Sequence, residues 1–150
     1  SSVIVGLHTT NHTHVFAHDL WVKDMSELNI DGAPPPTEED YFYQFMQNID
    51  DNNLTGIVIP IRGDSAYTLG IHALESIDTA FIDGDHSKEG LTKDLEMILP
   101  RMKKGGVVLC HDCTAGSVTH DAFLDFCKKH ELKDFGFYGN GSSIARIIKQ

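Results

Sequence analysis

The strongest constraint on the fold is a strand–helix–strand pattern that runs from Thr79 to Cys113. The first apolar run ends at Asp83-Gly84-Asp85-His86, and the second ends at His111-Asp112. Between these runs, apolar residues recur at the spacing of an amphipathic helix, and they are Leu91, Leu95, Ile98, Leu99 and Met102. In a parallel sheet, a crossover helix brings the ends of both strands to the same edge. We therefore expect the acids and histidines at the two ends to lie close together.

The rest of the chain continues this alternation of strands and helices. Predicted strands are Ser2–Leu7, Thr13–Asp19, Leu54–Ile61, Ile77–Asp83, Val107–Cys110, Asp134–Tyr138 and Ser143–Lys149. Four helices are predicted. The first is capped by Thr37 and its apolar stripe ends at Ile49, and the second is Ala66–Glu75. The third is capped by Ser87, and the fourth is Val118–His130. Such alternation is typical of an α/β fold. We predict one domain over residues 1–150, with a mostly parallel sheet flanked by helices and a C-terminal antiparallel hairpin around Gly139-Asn140-Gly141.

The connection between the first two strands is unusually short. Only about five residues separate Ser2–Leu7 from Thr13–Asp19, whereas parallel neighbours need a crossover of about 10–12 residues. Three alternatives follow: an antiparallel hairpin, a missing helix, or a first run that is not a sheet strand.

Composition limits the classes of partner. The chain has 150 residues, and 12 basic against 22 acidic residues give a formal charge of −10, which disfavours binding to a nucleic acid backbone. No apolar run reaches the ~20 residues of a membrane span, and no signal peptide is visible, so a cytoplasmic location is expected. The odd number of cysteines suggests a reducing compartment. Cys110-x-x-Cys113 is interpreted as a buried strand-end thiol followed by a loop thiol rather than as a redox or zinc motif.

Four of the apolar runs end in an acid, and these acids are Asp19, Asp64, Asp83 and Asp112. Ligands of open α/β sheets bind outside the carboxyl ends of the strands, so the four acids predict a ligand-binding edge. A strand-end carboxylate such as Asp19 can accept both hydroxyls of a ribose, and Asp64-Ser65 can bind a base edge.

The last two acids suggest different chemistry. Asp83, His111 and Asp112 offer oxygen ligands and an imidazole, which suits Mg²⁺, Mn²⁺ or another divalent ion. His86 lies three residues after Asp83 and can act as a general base near neutral pH.

The remaining histidines carry weaker signals. His12, His14 and His18 would face one side of a strand, but without a completing carboxylate or cysteine we interpret them as structural rather than as a metal site. Three others, His72, His120 and His130, are predicted at helix surfaces.

The central pattern is specific enough to suggest a family. It comprises Phe81–Ser87, Glu89-Gly90, Asp94-Leu95, Leu99-Pro100, Lys104–Val108 and His111-Asp112. This pattern resembles class I S-adenosylmethionine-dependent methyltransferases, in the branch with an Ile-Asp-Gly-Asp-His-Ser signature. Lys88 stands where that branch usually has Tyr. The resemblance covers roughly Thr13 to Asp112 and implies a Rossmann-like sheet.

The resemblance implies roles for the residues at the strand ends. Asp19, with Trp21 beside it, would hold the ribose of S-adenosylmethionine, and Asp64 and Ser65 would lie beside the adenine. Asp83 would border the cofactor. Some O-methyltransferases of this fold place metal ligands at the positions of Asp83, His111 and Asp112, although His111 replaces the usual acid. His86 occupies the position of a catalytic base, so His86 and Asp83 are the predicted catalytic residues.

The first turn departs from the family pattern. Gly6 would begin the Gly-rich turn that admits the methionine part of the cofactor, but Thr10 replaces the second glycine. No room remains for a helix before Asp19, so part of the first βα unit is expected to be missing. The cofactor pocket is then incomplete, remodelled, or finished by another chain, which leaves homo-oligomerisation open.

The leading hypothesis is methyl transfer from S-adenosylmethionine to an oxygen of a small molecule, with nitrogen as the less favoured target, and a divalent ion at Asp83 and Asp112 could orient the acceptor. One alternative is a catalytically inactive binding or assembly module with the same fold. A metal-dependent hydrolase built on Asp83, His86, His111 and Asp112 is a third. The sequence does not specify the acceptor, the metal or the oligomeric state.

Overall fold

The computed structural model describes residues 2–8, 13–21, 38–138 and 143–150. Within these residues the strands are β1 (Ser2–His8), β2 (Thr13–Asp19), β3 (Val58–Arg62), β4 (Ile77–Asp83), β5 (Met102–Cys110), β6 (Phe135–Phe137) and β7 (Ala145–Ile148). The α-helices are α1 (Glu38–Asp51), α2 (Ser65–Thr68), α3 (Lys88–Ile98) and α4 (Val118–Lys129). Short 3₁₀ helices follow α2 at Leu69–Ile71 and α3 at Leu99–Arg101.

The described strands form one seven-stranded sheet in the order β3-β2-β1-β4-β5-β7-β6. The β2–β3 and β4–β5 pairs are parallel, whereas β1 is antiparallel to both β2 and β4, and β7 is antiparallel to both β5 and β6. The sheet is therefore mixed, and β1 and β7 run against the other strands. The predicted α/β class, the flanking helices and the closing antiparallel hairpin are confirmed.

The direction of β1 resolves the question of the short first connection. Only residues 9–12 separate β1 from β2, and these four residues lie outside the described part of the chain. A link of this length is too short for a parallel crossover but suits an antiparallel hairpin. The structure accordingly pairs Ser2 with Asp19 and His8 with Thr13.

Side-chain caps explain where the two central helices begin. The Ser87 hydroxyl accepts a hydrogen bond of 3.0 Å from the Gly90 amide at the start of α3, as the sequence predicts. The Ser117 hydroxyl accepts one of 3.1 Å from the His120 amide at the start of α4. At the other end of α4, Lys128 and Lys129 complement the negative end of the helix dipole.

The core lies between one face of the sheet and the pair α3–α4. Residues Ala80 and Ile82 of β4 are buried there, together with Leu95 of α3 and Phe123 of α4. Ile82, Leu95 and Phe123 each contribute about 1.5–3 kcal/mol through removal of apolar surface from water, and the smaller Ala80 contributes less. The core therefore fixes the positions of β4 and β5, whose carboxyl ends carry the candidate site.

Several boundaries differ from the sequence prediction. The helix predicted over Ala66–Glu75 is a four-residue α2 followed by a 3₁₀ turn that ends at Ile71, because His72 adopts extended backbone geometry with a ψ of 135°. β3 begins at Val58 rather than Leu54, and Pro60 is accommodated because β3 is an edge strand. The predicted cap Thr37 and the turn at 139–141 lie outside the described residues.

Among the described helices, none combines the length and the apolar character that crossing a membrane requires.

Candidate functional site

The carboxyl ends of β2 and β4 lie two strands apart at one edge of the sheet. Ser2 of the intervening β1 pairs with Asp19 on one side and with Asp83 on the other. Adjacent strands are spaced by about 4.8 Å, so the two acids lie about 10 Å apart along this edge. The edge therefore has two halves, one at β2–β3 and one at β4–β5.

The β4–β5 half gathers two carboxylates and two imidazoles. His86 Nε2 lies 3.1 Å from Asp112 Oδ2 and 3.6 Å from Asp83 Oδ1. His111 Nδ1 lies 3.1 Å from Asp112 Oδ1 and 3.4 Å from Asp83 Oδ1. The four side chains converge as the strand–helix–strand pattern predicts. We refer to Asp83, His86, His111 and Asp112 as the Asp–His cluster.

Backbone strain at Asp112 helps to aim its side chain into the cluster. Asp112 has a φ of 55°, in the left-handed region that Asp tolerates better than most residues. Its carbonyl oxygen accepts hydrogen bonds from the hydroxyls of Ser117 at 3.1 Å and Thr119 at 2.5 Å. These two bonds hold the strained turn at the start of α4, which is where such strain is often functional.

The donor set of the Asp–His cluster fits a divalent cation. One ligand atom from each of Asp83, His86 and Asp112 can be chosen so that all lie within 4.8 Å of one another. His111 Nδ1 is inaccessible to solvent and lacks an aligned hydrogen bond, although two carboxylates lie near it. Carboxylate oxygens with an imidazole are ligands that Mg²⁺ or Mn²⁺ can take. The third ligand beside Asp83 and Asp112 is His86 in this group, whereas the sequence suggested His111.

Asp85, the other acid of the signature, has a structural role beside this cluster. Its carboxylate accepts hydrogen bonds from the Ser87 amide at 2.8 Å and the Ser87 hydroxyl at 2.9 Å, which lower the pKa of Asp85. A Cβ on Gly90 would lie 2.5 Å from Asp85. Asp85, Ser87 and Gly90 therefore form one compact cap at the start of α3.

On the β2–β3 half, the end of β2 is fixed around Asp19. Asp19 Oδ1 accepts a 2.6 Å hydrogen bond from the Trp21 amide, and the Asp19 carbonyl accepts one of 3.0 Å from Gly63. Trp21 has a φ of 57°, and its ring packs against Phe42 and Phe45 of α1 at centroid distances of 5.5 and 4.3 Å. Trp21 therefore belongs to the wall of this half.

Asp64 and Ser65 follow β3 but point to different environments. Asp64 is exposed, and its Oδ1 accepts a 2.8 Å hydrogen bond from the Ala66 amide as the N-cap of α2. Ser65 is buried and donates a 2.5 Å hydrogen bond to Asp94. Burial raises the pKa of Asp94. Asp64 therefore lies at the edge, while the Ser65 hydroxyl is committed to the interior.

The structure does not bring Gly6 to this edge. Gly6 pairs with Val15 and Thr79, four residues along the strand from the Ser2–Asp83 pair. At about 3.3 Å per residue, it lies about 13 Å from the edge. The physical reason is the antiparallel direction of β1, which carries its carboxyl end away from the acids.

Sequence reasoning missed the environment of His72. We predicted it at a helix surface, but its exposed fraction is only 7%, and its Nε2 lies 2.9 Å from Nε2 of His18. The alternation in β2 places His18 on the face opposite Asp19, towards the helices. No sequence signal marked His72, because it caps a 3₁₀ turn where a longer helix was expected.

Comparisons with known proteins agree with the fold. The chain resembles the structure of a Staphylococcus aureus protein assigned as a caffeoyl-CoA O-methyltransferase, with 18% identity, a TM-score of 0.61 and coverage of 75% of this chain and 61% of that chain. For the O-methyltransferase NovP the identity is 18%, the TM-score 0.61 and the coverage 90% and 59%. For the SAH-bound Podospora anserina methyltransferase PaMTH1, the identity is 16%, the TM-score is 0.56, and the match covers 73% of this chain and 56% of that chain. The chain thus spans less than two thirds of each of these structures.

No curated protein matches the sequence significantly. A family model described as a methyltransferase domain, however, matches residues 2–113, which is well over half of the chain. This range contains β1 to β5 and the entire Asp–His cluster. The resemblance to class I methyltransferases that the sequence pattern suggested is therefore confirmed, and the chain belongs to this family of methyltransferase domains.

Proposed function

We propose that this chain transfers a methyl group from S-adenosylmethionine to an oxygen of a small molecule. The observation that carries the proposal is the convergence of the Asp–His cluster on the same sheet edge as Asp19. Family membership supports the methyltransferase chemistry. Two of the similar structures are described as O-methyltransferases, which supports oxygen as the target.

The β2–β3 half would hold the nucleoside part of S-adenosylmethionine. Asp19 is already oriented by the Trp21 amide, so its carboxylate can accept the ribose hydroxyls without reorganisation. Trp21 supplies an apolar surface beside it, and Asp64 lies at the adjacent strand end. Gly6 does not contribute here, since it lies away from the edge. When bound, the cofactor supplies an activated methyl group on a positively charged sulfur.

The Asp–His cluster would handle the proton of the acceptor. His86 would take the proton from the acceptor hydroxyl, and Asp112, whose Oδ2 lies 3.1 Å from His86 Nε2, would stabilise the imidazolium that forms. The cofactor would supply the methyl group to the acceptor oxygen, and its sulfur would leave with the electrons of the methyl–sulfur bond. Such a displacement depends mainly on alignment of the reacting groups, so few catalytic residues are needed.

A divalent ion would change the role of His86. Asp83, His86 and Asp112 are the residues that would hold it, and its charge would stabilise the acceptor oxygen as an anion. The same Nε2 cannot both coordinate a cation and accept a proton. Titration with Mg²⁺ or Mn²⁺ therefore distinguishes a metal-assisted reaction from a reaction in which His86 is the base.

Calorimetric titration with S-adenosylmethionine and S-adenosylhomocysteine tests the proposal. We expect both to bind the folded chain, and Asp19→Asn to weaken the binding. Asp51→Asn, at the exposed end of α1, is a matched control that should bind normally. The absence of binding at millimolar concentrations to folded protein would overturn the proposal. An activity that needs metal but ignores S-adenosylmethionine would instead favour the hydrolase.

One observation favours the alternative of a non-catalytic module. Because β1 is antiparallel, Gly6 cannot form a turn at the edge where the methionine part of the cofactor would lie. A chain of this kind could keep the sheet as a binding surface without transferring a methyl group. This alternative predicts a folded protein that binds neither S-adenosylmethionine nor S-adenosylhomocysteine.

A further inference from the structure

A buried pair of histidines connects the two strand ends of the β2–β3 half. His18 Nε2 lies 2.9 Å from His72 Nε2, and His18 Nδ1 lies 3.0 Å from the hydroxyl of Thr68. The Thr68 hydroxyl in turn donates a 3.2 Å hydrogen bond to the carbonyl of Asp64. The exposed fractions are 1% for His18 and 7% for His72, so the bond between the two rings is shielded from water. We refer to these four residues as the His18 network.

The proton arrangement of the His18 network follows from its donors. When the Thr68 hydroxyl donates to the Asp64 carbonyl, it accepts from His18 Nδ1, which then carries the proton. His18 Nε2 is then an acceptor, and His72 Nε2 must be the donor. All contacts are satisfied by two neutral imidazoles in this tautomer. A further proton on His18 Nε2 would place two N–H groups against each other, and the bond to His72 would break.

The network links residues that the proposed function assigns to the cofactor. His18 immediately precedes Asp19, while the chain of hydrogen bonds ends on the backbone of Asp64. The same two strand ends are also joined by the 3.0 Å bond from the Gly63 amide to the Asp19 carbonyl. A Cβ on Gly63 would lie 2.7 Å from Thr68, so the backbone passes very close to the network. The separation of the two acids therefore depends on the packing around His18.

We propose that His18 is a positioning residue, and that the neutral His18–His72 pair holds Asp19 and Asp64 at the separation that S-adenosylmethionine requires. This inference rests on the proposed function for its ligand. His18 faces away from the edge and touches no part of the cofactor, so it acts through the backbone of β2 and α2. Protonation of His18 in acid removes the acceptor for His72, which weakens the link, and cofactor affinity falls with it.

Burial, together with the nearby Arg101, favours the neutral pair. The ionisable residues on the strands and helices around it are His14, Asp19, Arg62, Asp64, Asp94 and Arg101. Burial and the nearby His72 lower the pKa of His18, and burial and Arg101 lower the pKa of His72. Arg101 also donates a 3.2 Å hydrogen bond from Nε to the His72 carbonyl. The fold thus disfavours protonation of His18 and His72. Protonation of His18 in acid strains the hydrogen bonds that join the ends of β2 and β3.

Hydrogen exchange combined with calorimetry tests the inference in the full chain. His72→Phe keeps a ring for the contact with Phe16, 4.9 Å between centroids, but removes the N–H donor. His72→Gln restores a donor, and His130→Gln alters the histidine that follows α4 and is paired with Glu96. The readouts are amide exchange at Gly63, exchange in β5 as a control for global stability, and the dissociation constant of S-adenosylhomocysteine.

We expect His72→Phe to speed exchange at Gly63 and to weaken S-adenosylhomocysteine binding, each by about tenfold, as for loss of one buried hydrogen bond. His72→Gln should recover most of both, and His130→Gln and β5 exchange should stay unchanged. If amide exchange at Gly63 is unchanged in His72→Phe, the positioning role is overturned, whether or not S-adenosylhomocysteine binding changes. If Gly63 exchanges faster in His72→Phe but the wild-type chain does not bind S-adenosylhomocysteine, the proposed function is overturned. The role of His18 in cofactor binding is then overturned with it.

Discussion

Acid should destabilise this protein through His18, and the structure gives the size of the effect. Burial and the neighbouring His72 lower the pKa of His18 from 6.5 to about 4 in the folded state. Between these two pH values the unfolded chain binds a proton that the folded chain does not, so the free energy of unfolding falls as the pH decreases. At about 1.4 kcal/mol per pH unit, the full loss is about 3 kcal/mol, of which about 2 kcal/mol is reached by about pH 5.

Urea denaturation of the wild-type chain and His18→Gln, from about pH 7.5 to about pH 5, measures this effect. Gln does not titrate, so the variant should lose about 2 kcal/mol less over this range than the wild-type chain, even if it is less stable at neutral pH. Gln47→Ala, an exposed neutral change in α1, is the control and should follow the wild-type slope. Equal pH dependence in wild type and His18→Gln would refute the assignment of a buried neutral His18.

Two further predictions concern the cap of α3 and the thiols. Gly90→Ala places a Cβ 2.5 Å from Asp85, so we expect it to lower the free energy of unfolding by about 1–3 kcal/mol, measured in urea, and an unchanged value would contradict the close contact. The thiols Cys110, Cys113 and Cys127 are buried, and burial raises the pKa of Cys113 to about 11 and that of Cys127 to about 12. Labelling by a disulfide reagent at neutral pH should therefore be at least about a hundredfold slower in native protein than in urea, and rapid native labelling would disprove the burial.

Local signals in the sequence predicted much of the central fold. The bounds of β2 and β4 match the predicted strands, because each is an apolar run that a polar residue ends abruptly. Ser87 caps α3 as predicted, since the cap and its helix are adjacent in the sequence. The Asp–His cluster assembles for the same reason, because a strand–helix–strand unit has few geometries available.

Other features depend on distant contacts and were not predictable. The direction of β1 stayed open because loop length alone allowed three alternatives, and its antiparallel pairing removes Gly6 from the edge. The inward position of Ser65 depends on Asp94, which is distant in sequence and buried beside it. His72 was wrongly placed at a surface because its partner, His18, lies on another element.

A crystal structure of the chain soaked with S-adenosylhomocysteine tests the central claim most directly. The account predicts density for the nucleoside at the carboxyl ends of β2 and β3, with the ribose hydroxyls within hydrogen-bonding distance of the Asp19 carboxylate. The sulfur should then point along the edge towards the Asp–His cluster. An edge without density at saturating ligand, or a nucleoside bound away from Asp19, would contradict it.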